Sequence, residues 1–214
     1  MVKAVLFDLD GTLADTAPDL NYAINHMRSA RGLPQLPVNV TRPVTSMGAR
    51  GLLGMGFKVT PESPEYGALR EEFLAVYAVN LCRHTRLFPG IVELLSELEC
   101  RKLLWGVVTN KPERFARPLL ELLGVYSRAA CVIGGDTTTK MKPDPEPLLV
   151  AAQRVGIAPC NCLYLGDDER DMQAGRAAGM SVVVAGFGYL NGSNPENWDA
   201  DAIIDEPLEL LNLL

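Results

Sequence analysis

Apolar and β-branched residues fill positions 2–9 almost without a break, and the run ends in Asp-Gly-Thr, which predicts a short buried strand entering a turn. From about residue 15 to residue 82 the texture changes. Helical periodicity is found over residues 18–31 and 64–82, separated by a loop carrying Gly32, Pro34, Pro37 and Pro43 and by the glycine-rich piece 48–56. No strand alternation occurs there, so an all-helical insert is expected. After Pro89-Gly90 short apolar runs alternate with amphipathic ones. They predict helix 91–99, strand 103–109, helix 112–123, strand 131–133, helix 146–155, strand 162–165, helix 169–178, strand 181–185 and a last strand at 202–204. Gly124 and Gly156 stand where helix C-caps belong, and Asp144-Pro145 reads as an N-cap followed by a first-turn proline.

Short strands alternating with helices mean βα units and a parallel sheet covered on both faces. The expected fold is therefore α/β, a Rossmann-like parallel sheet core made of residues 1–14 and 83–214, with a small helical cap, 15–82, inserted after the first strand. The length, 214 residues with 48% hydrophobic, suffices for one core and a small appended module. A net charge of −6 argues against nucleic acid or an anionic membrane as partner. No apolar stretch approaches the roughly 18 residues of a membrane span, and Asp8 and Asp10 interrupt the first apolar run, so a cytoplasmic protein is expected. The five cysteines include no C-x-x-C pair and read as reduced, mostly buried thiols; His26 and His84 read as structural.

In open parallel sheets ligands bind beyond the carboxyl ends of the strands. Asp8 and Asp10 lie at the end of the first predicted strand, Thr109 and Asn110 at the end of the next, Lys140 and Lys142 after the third, and Asp167 and Asp168 after the fourth. Asp8 and Asp10 at i, i+2 of an extended chain share a face at about 7 Å, where two carboxylates repel by roughly 2 kcal/mol at an effective dielectric near 20. Asp167 adds to that cost, so a cation is expected among them. With no histidine near, an all-oxygen site fits Mg²⁺ better than Zn²⁺. Such an ion leaves positions open for a phosphate oxygen, Lys142 adds positive charge, and Thr109 and Asn110 can hydrogen-bond the phosphate.

Asp8-Leu9-Asp10-Gly11-Thr12-Leu13, Val107-Val108-Thr109-Asn110, Lys142-Pro143-Asp144-Pro145 and Gly166-Asp167-Asp168-Glu169-Arg170-Asp171 resemble, in order, the four motifs of the haloacid dehalogenase superfamily. The resemblance covers essentially the whole chain, and the helical insert resembles that superfamily's cap. It implies that Asp8 is a nucleophile that attacks phosphorus and also ligates Mg²⁺. Asp10 would be the general acid and base and lend its backbone carbonyl to the metal. Thr109 would bind phosphate, Lys142 would steady nucleophile and phosphate, and Asp167 would ligate Mg²⁺. Asp171, and less directly Asp168, would orient the metal's water shell. Asp10, where dehalogenases carry an aromatic residue and ATP-driven pumps carry Thr, implies phosphate-ester hydrolysis. The segments 108–112, 133–136 and 142–148 are similar to phosphoglycolate phosphatases, while Gly48-Ala49-Arg50 and the tail from Gly188-Tyr189 resemble bacterial N-acetylmuramic acid 6-phosphate phosphatases. Both substrates carry a carboxylate, for which Arg50, with Arg42 as second choice, is the cap candidate. The expected partner is a small-molecule phosphate ester, the expected assembly a monomer or homodimer. A sugar phosphomutase and a non-catalytic phosphate-binding protein are the competing readings.

Overall fold

The computed structural model describes residues 1–214. Strand β1 (Ala4–Phe7) leads through a two-residue ribbon strand, β2 (Ala14–Asp15), into four helices: α1 (Ala17–Ser29), α2 (Val38–Thr41), α3 (Gly48–Phe57) and α4 (Tyr66–Val79). The chain returns through β3 (Arg86–Leu87), antiparallel to β2. It then alternates through α5 (Ile91–Cys100), β4 (Leu104–Val108), α6 (Glu113–Leu122), β5 (Cys131–Ile133), α7 (Glu146–Val155), β6 (Cys162–Gly166), α8 (Glu169–Ala177), β7 (Ser181–Ala185) and β8 (Ala202–Ile204). No helix is long and apolar enough to cross a membrane.

The six-stranded sheet has the order β5-β4-β1-β6-β7-β8, and every neighbouring pair is parallel. From β1 the chain builds outward on one side as β4 and β5, then crosses to build β6, β7 and β8 on the other. That reversal makes the carboxyl end of β1 the switch point, where open α/β sheets bind ligands. Val5 and Phe7 pack on one face with Ile91, Leu94 and Leu98 of α5 and Phe115 of α6, whereas Ala4 and Leu6 face Leu148 of α7 and Met172 of α8. Burial on both faces is why these strands read as unbroken apolar runs rather than alternating ones.

The predicted strands and helices of the alternating half are all present, within a few residues. The glycine-rich piece 48–56 differs: it forms helix α3 and does not merely separate helices. Its glycines are contact points. A Cβ on Gly56 would come within 2.7 Å of Ile24 in α1, and one on Gly51 within 2.5 Å of the Val44 carbonyl oxygen, so close packing offsets the low helix propensity of glycine. The β2–β3 ribbon and the 3₁₀ segment Arg42–Met47 were not legible either, since two-residue strands and single turns have no period to read.

Entry to and exit from the helical insert are tied down by buried polar contacts. Asp19 of α1 accepts bonds from the backbone N–H of His84 (3.0 Å) and from both the N–H and the hydroxyl of Thr85 (2.8 Å each). The Tyr189 hydroxyl accepts from the N–H groups of Thr16 (2.8 Å) and Ala17 (3.0 Å), two orphan donors at the start of α1, and donates to Asp15 (2.9 Å).

Candidate active site

Asp8 is the first residue past β1, Thr109 the first past β4 and Asp167 the first past β6, while Lys142 arrives from the loop after β5 and Asp171 from the first turn of α8. Lys142 is buried and ties three elements together. Its ammonium donates to Asp8 Oδ1 at 2.8 Å and to the Tyr164 hydroxyl at 2.7 Å, and pairs with Asp171 Oδ1 at 2.7 Å. Burial pulls its pKa down, but the Asp171 and Asp8 carboxylates outweigh this and push it up to about 12. Tyr164 of β6 donates its own hydroxyl to the Val108 carbonyl oxygen (2.8 Å).

One carboxylate oxygen each from Asp8, Asp167 and Asp171 lie within 4.8 Å of one another, and all three residues are buried. Asp167 Oδ1 accepts from the Thr12 hydroxyl (2.9 Å), and Oδ2 accepts from the Tyr189 N–H (2.9 Å) and the Ser46 hydroxyl (3.2 Å). Only glycine fits beside it: a Cβ would lie 2.2 Å from Asp167 if placed on Gly11, whose φ is +91°, and 2.3 Å if placed on Gly188. Burial first, then the charges of Asp8 and Asp171, raises the Asp167 carboxyl well above the usual carboxylate range. Burial also raises Asp171, Lys142 draws it back and Asp8 raises it again, leaving it at about 6. Three buried carboxylates against one ammonium form a donor set that suits a hard divalent cation, and two of them resist ionising without one.

Asp171, expected to act on a metal's water shell, therefore stands in the cluster itself. The carboxylates of Asp10 and Asp168 stand outside it. Asp10 is gripped on both oxygens by buried Lys111 (2.9 and 3.2 Å), whose ammonium also lies 4.7 Å from the centre of the Tyr77 ring. Asp168 caps α8 and holds Arg170 on both oxygens. The Thr109 hydroxyl accepts from the Lys111 N–H (3.2 Å). The Asn110 amide is spent on the backbone of Lys142, donating to its carbonyl and accepting from its N–H at 3.0 Å each, so it shapes the lysine loop.

Over these residues lies a cleft of about 310 Å³ whose walls include Asp8, Asp10, Lys111 and Lys142 from the core and Arg50, Tyr66, Arg70 and Phe73 from the insert. Arg50 is exposed and makes no ion pair, whereas Arg42 is committed to Asp15 by two bonds of 2.9 Å and lies over the Tyr189 ring. Sequence reasoning gave no role to Lys111, Tyr164, Ser46 or Arg170. Two signals were available: a lysine directly after Thr109-Asn110, and a tyrosine inside an otherwise aliphatic buried strand.

Residues 5–185 match the family model for haloacid dehalogenase-like hydrolases, and the chain belongs to that family. It is 45% identical, over all of its length and 96% of the relative's, to an N-acetylmuramic acid 6-phosphate phosphatase of Pseudomonas putida. It is 47% identical, over 97% of its length and 94% of the relative's, to a phosphoglycolate phosphatase of Xanthomonas campestris pv. campestris. Among solved structures, one described as a predicted phosphoglycolate phosphatase from Haemophilus somnus superposes with a TM-score of 0.88 at 29% identity, covering 99% of this chain and 97% of the other.

Proposed function

We propose that the protein is a Mg²⁺-dependent phosphoric monoester hydrolase acting on a small, carboxylate-bearing phosphate ester in the cytoplasm, as a monomer or homodimer. The observation that carries this reading is the placement of Asp8: a buried carboxylate at the floor of the cleft, held by Lys142 and grouped with Asp167 and Asp171. An Asp8 oxygen attacks phosphorus while the bond to the ester oxygen breaks, and Asp10 supplies the proton that oxygen needs. Water then attacks the aspartyl phosphate with Asp10 accepting its proton, and the Asp8–phosphorus bond breaks. Lys142 and the Thr109 hydroxyl hold phosphate oxygens. Asp8, Asp167 and Asp171 would hold Mg²⁺, which supplies charge neutralisation to the phosphoryl group. Net charge −6 leaves nucleic acid outside the partner set.

Both 2-phosphoglycolate and N-acetylmuramic acid 6-phosphate fit this class. Phosphate release should therefore be screened over both, over common sugar phosphates and over p-nitrophenyl phosphate, with and without EDTA. Absence of turnover at millimolar Mg²⁺ on all of them rejects the reading.

Two further outcomes are expected. Arg50→Ala should lower the ratio of kcat/KM for a carboxylated ester to that for p-nitrophenyl phosphate by about tenfold, the value of one charge-assisted contact. An unchanged ratio removes Arg50 from substrate recognition. The second concerns pH. Asp171 and Asp167 have folded pKa values raised above the unfolded value near 4, so the metal-free fold holds protons that the unfolded chain has released. Its stability falls as pH rises from about 4 to about 6, and Mg²⁺ must displace those protons. At a hundredfold excess over Kd, Mg²⁺ should stabilise by about 3 kcal/mol, some 5–10 °C in Tm, at pH 7.5 and by clearly less at pH 5. Equal increments at the two pH values contradict the assignment.

A further inference from the structure

Between the core and the helical insert, at the mouth of the cleft, runs a chain of polar contacts that the chemistry above leaves unused. Arg170, in the first turn of α8, lays its guanidinium along Asp168, with Nε 2.7 Å from Oδ1 and Nη2 2.8 Å from Oδ2. Asp168 is itself fixed: Oδ1 accepts from the Arg170 N–H (3.0 Å), and its own N–H donates to Asp171 Oδ2 (3.1 Å). From that anchor Nη2 also donates, at 3.0 Å, to the carbonyl oxygen of Ser46 in the insert. The Ser46 hydroxyl in turn reaches Asp167 Oδ2. A planar guanidinium can grip a carboxylate with two N–H groups and still serve a third acceptor in a fixed direction, which the single ammonium of lysine cannot reproduce.

Ser46 does not sit on a slack loop. It belongs to the 3₁₀ segment Arg42–Met47, and Gly51 of α3 is pressed against that segment, with space for no Cβ between it and Val44 or Met47. Gly48, Ala49 and Arg50, which line the cleft, are therefore carried wherever Ser46 is held.

We propose that Arg170, anchored by Asp168, is a positioning residue that clasps residues 42–50 over the cleft, seating Arg50 for the substrate and the Ser46 hydroxyl on Asp167. The inference extends the phosphatase reading and rests on it for its kinetic consequences. Asp168 then works through Arg170 and not through the water shell of a cation.

The test uses Arg170→Met, Arg170→Lys and Asp168→Asn in the full chain; asparagine still caps a helix, so the third variant keeps α8. Amide hydrogen exchange over residues 42–50 should rise about tenfold or more in Arg170→Met and Asp168→Asn, measured against β1 and β6, and by less in Arg170→Lys. The ratio of kcat/KM for N-acetylmuramic acid 6-phosphate to that for p-nitrophenyl phosphate should fall about tenfold in the same two variants, with partial rescue by lysine. Calorimetric Mg²⁺ affinity should fall by no more than about tenfold and equally in both, since each variant releases the Ser46 hydroxyl from Asp167. Parental exchange over 42–50 in Arg170→Met overturns the clasp. So does a loss of Mg²⁺ affinity beyond about tenfold in Asp168→Asn alone, since Asp168 would then serve the cation. Exchange needs no turnover: a parent inert on every ester sinks the phosphatase reading while the clasp is still decided by the exchange rates.

Discussion

Asp8→Asn is expected to lower kcat on any accepted phosphate monoester by about 10⁴-fold or more, because the amide has no anionic oxygen to form the bond to phosphorus. The substitution is nearly isosteric, and its amide oxygen can still accept from the Lys142 ammonium that now sits 2.8 Å from Oδ1. Folding should therefore survive. The charge relations point the same way: the Asp8 charge raises both Asp167 and Asp171, so its removal relieves two buried carboxylates while Lys142 keeps Asp171 as a partner. Tm in EDTA should stay within about 5 °C of the parent, which separates a chemical loss from a structural one. Acid-quenched parent enzyme should carry a phosphate adduct on the peptide containing Asp8, and the variant none. If Asp8→Asn kept more than about a tenth of the parent rate, Asp8 could not be the group that is esterified.

The βα half of the fold could be read because its physics is periodic. The central strands are buried on both faces and the helices on one, so strands and helices write different patterns, and Gly156 sits at its predicted C-cap with φ +68°. What escaped depends on contacts distant in sequence. In the piece 48–56 the close approach of Val44 and Ile24 requires Gly51 and Gly56, and that packing offsets the low helix propensity by which the segment reads as a breaker. The site follows the same division. Asp8, Thr109, Lys142 and Asp167 were legible from their position at strand ends. The allotment of cations to anions was not: that Lys142 takes Asp8 and Asp171, Lys111 takes Asp10, and Arg170 takes Asp168 is decided by loops meeting in space. Asp8 and Asp10 both line the cleft, yet only Asp8 joins the carboxylate cluster, while Asp10 is taken by Lys111.

Lys142→Met should be the most damaging substitution for the fold among the site residues. It deletes a buried ammonium and leaves Asp8 and Asp171 facing each other without a counter-charge, a change of the kind that costs 3–5 kcal/mol, or about 10 °C in Tm for a chain of this size. It also removes the donor to the Tyr164 hydroxyl, which now accepts from Nζ at 2.7 Å and keeps only its own bond to the Val108 carbonyl oxygen. The pH dependence identifies the cause. In the parent the folded Lys142 pKa lies above its unfolded value, so its contribution is complete below about pH 10 and is lost only as pH rises through about 12. In the variant Asp171 loses the group that draws its pKa down, so its folded pKa climbs further above the unfolded value and the protonated form is the stable one. In EDTA the Tm deficit of Lys142→Met should therefore be small at pH 5 and widen towards pH 8, and Mg²⁺ should recover part of it at the higher pH by restoring a positive charge to the cluster. A deficit of the same size at both pH values would mean that the lost packing of the side chain, and not its charge, holds this part of the molecule together.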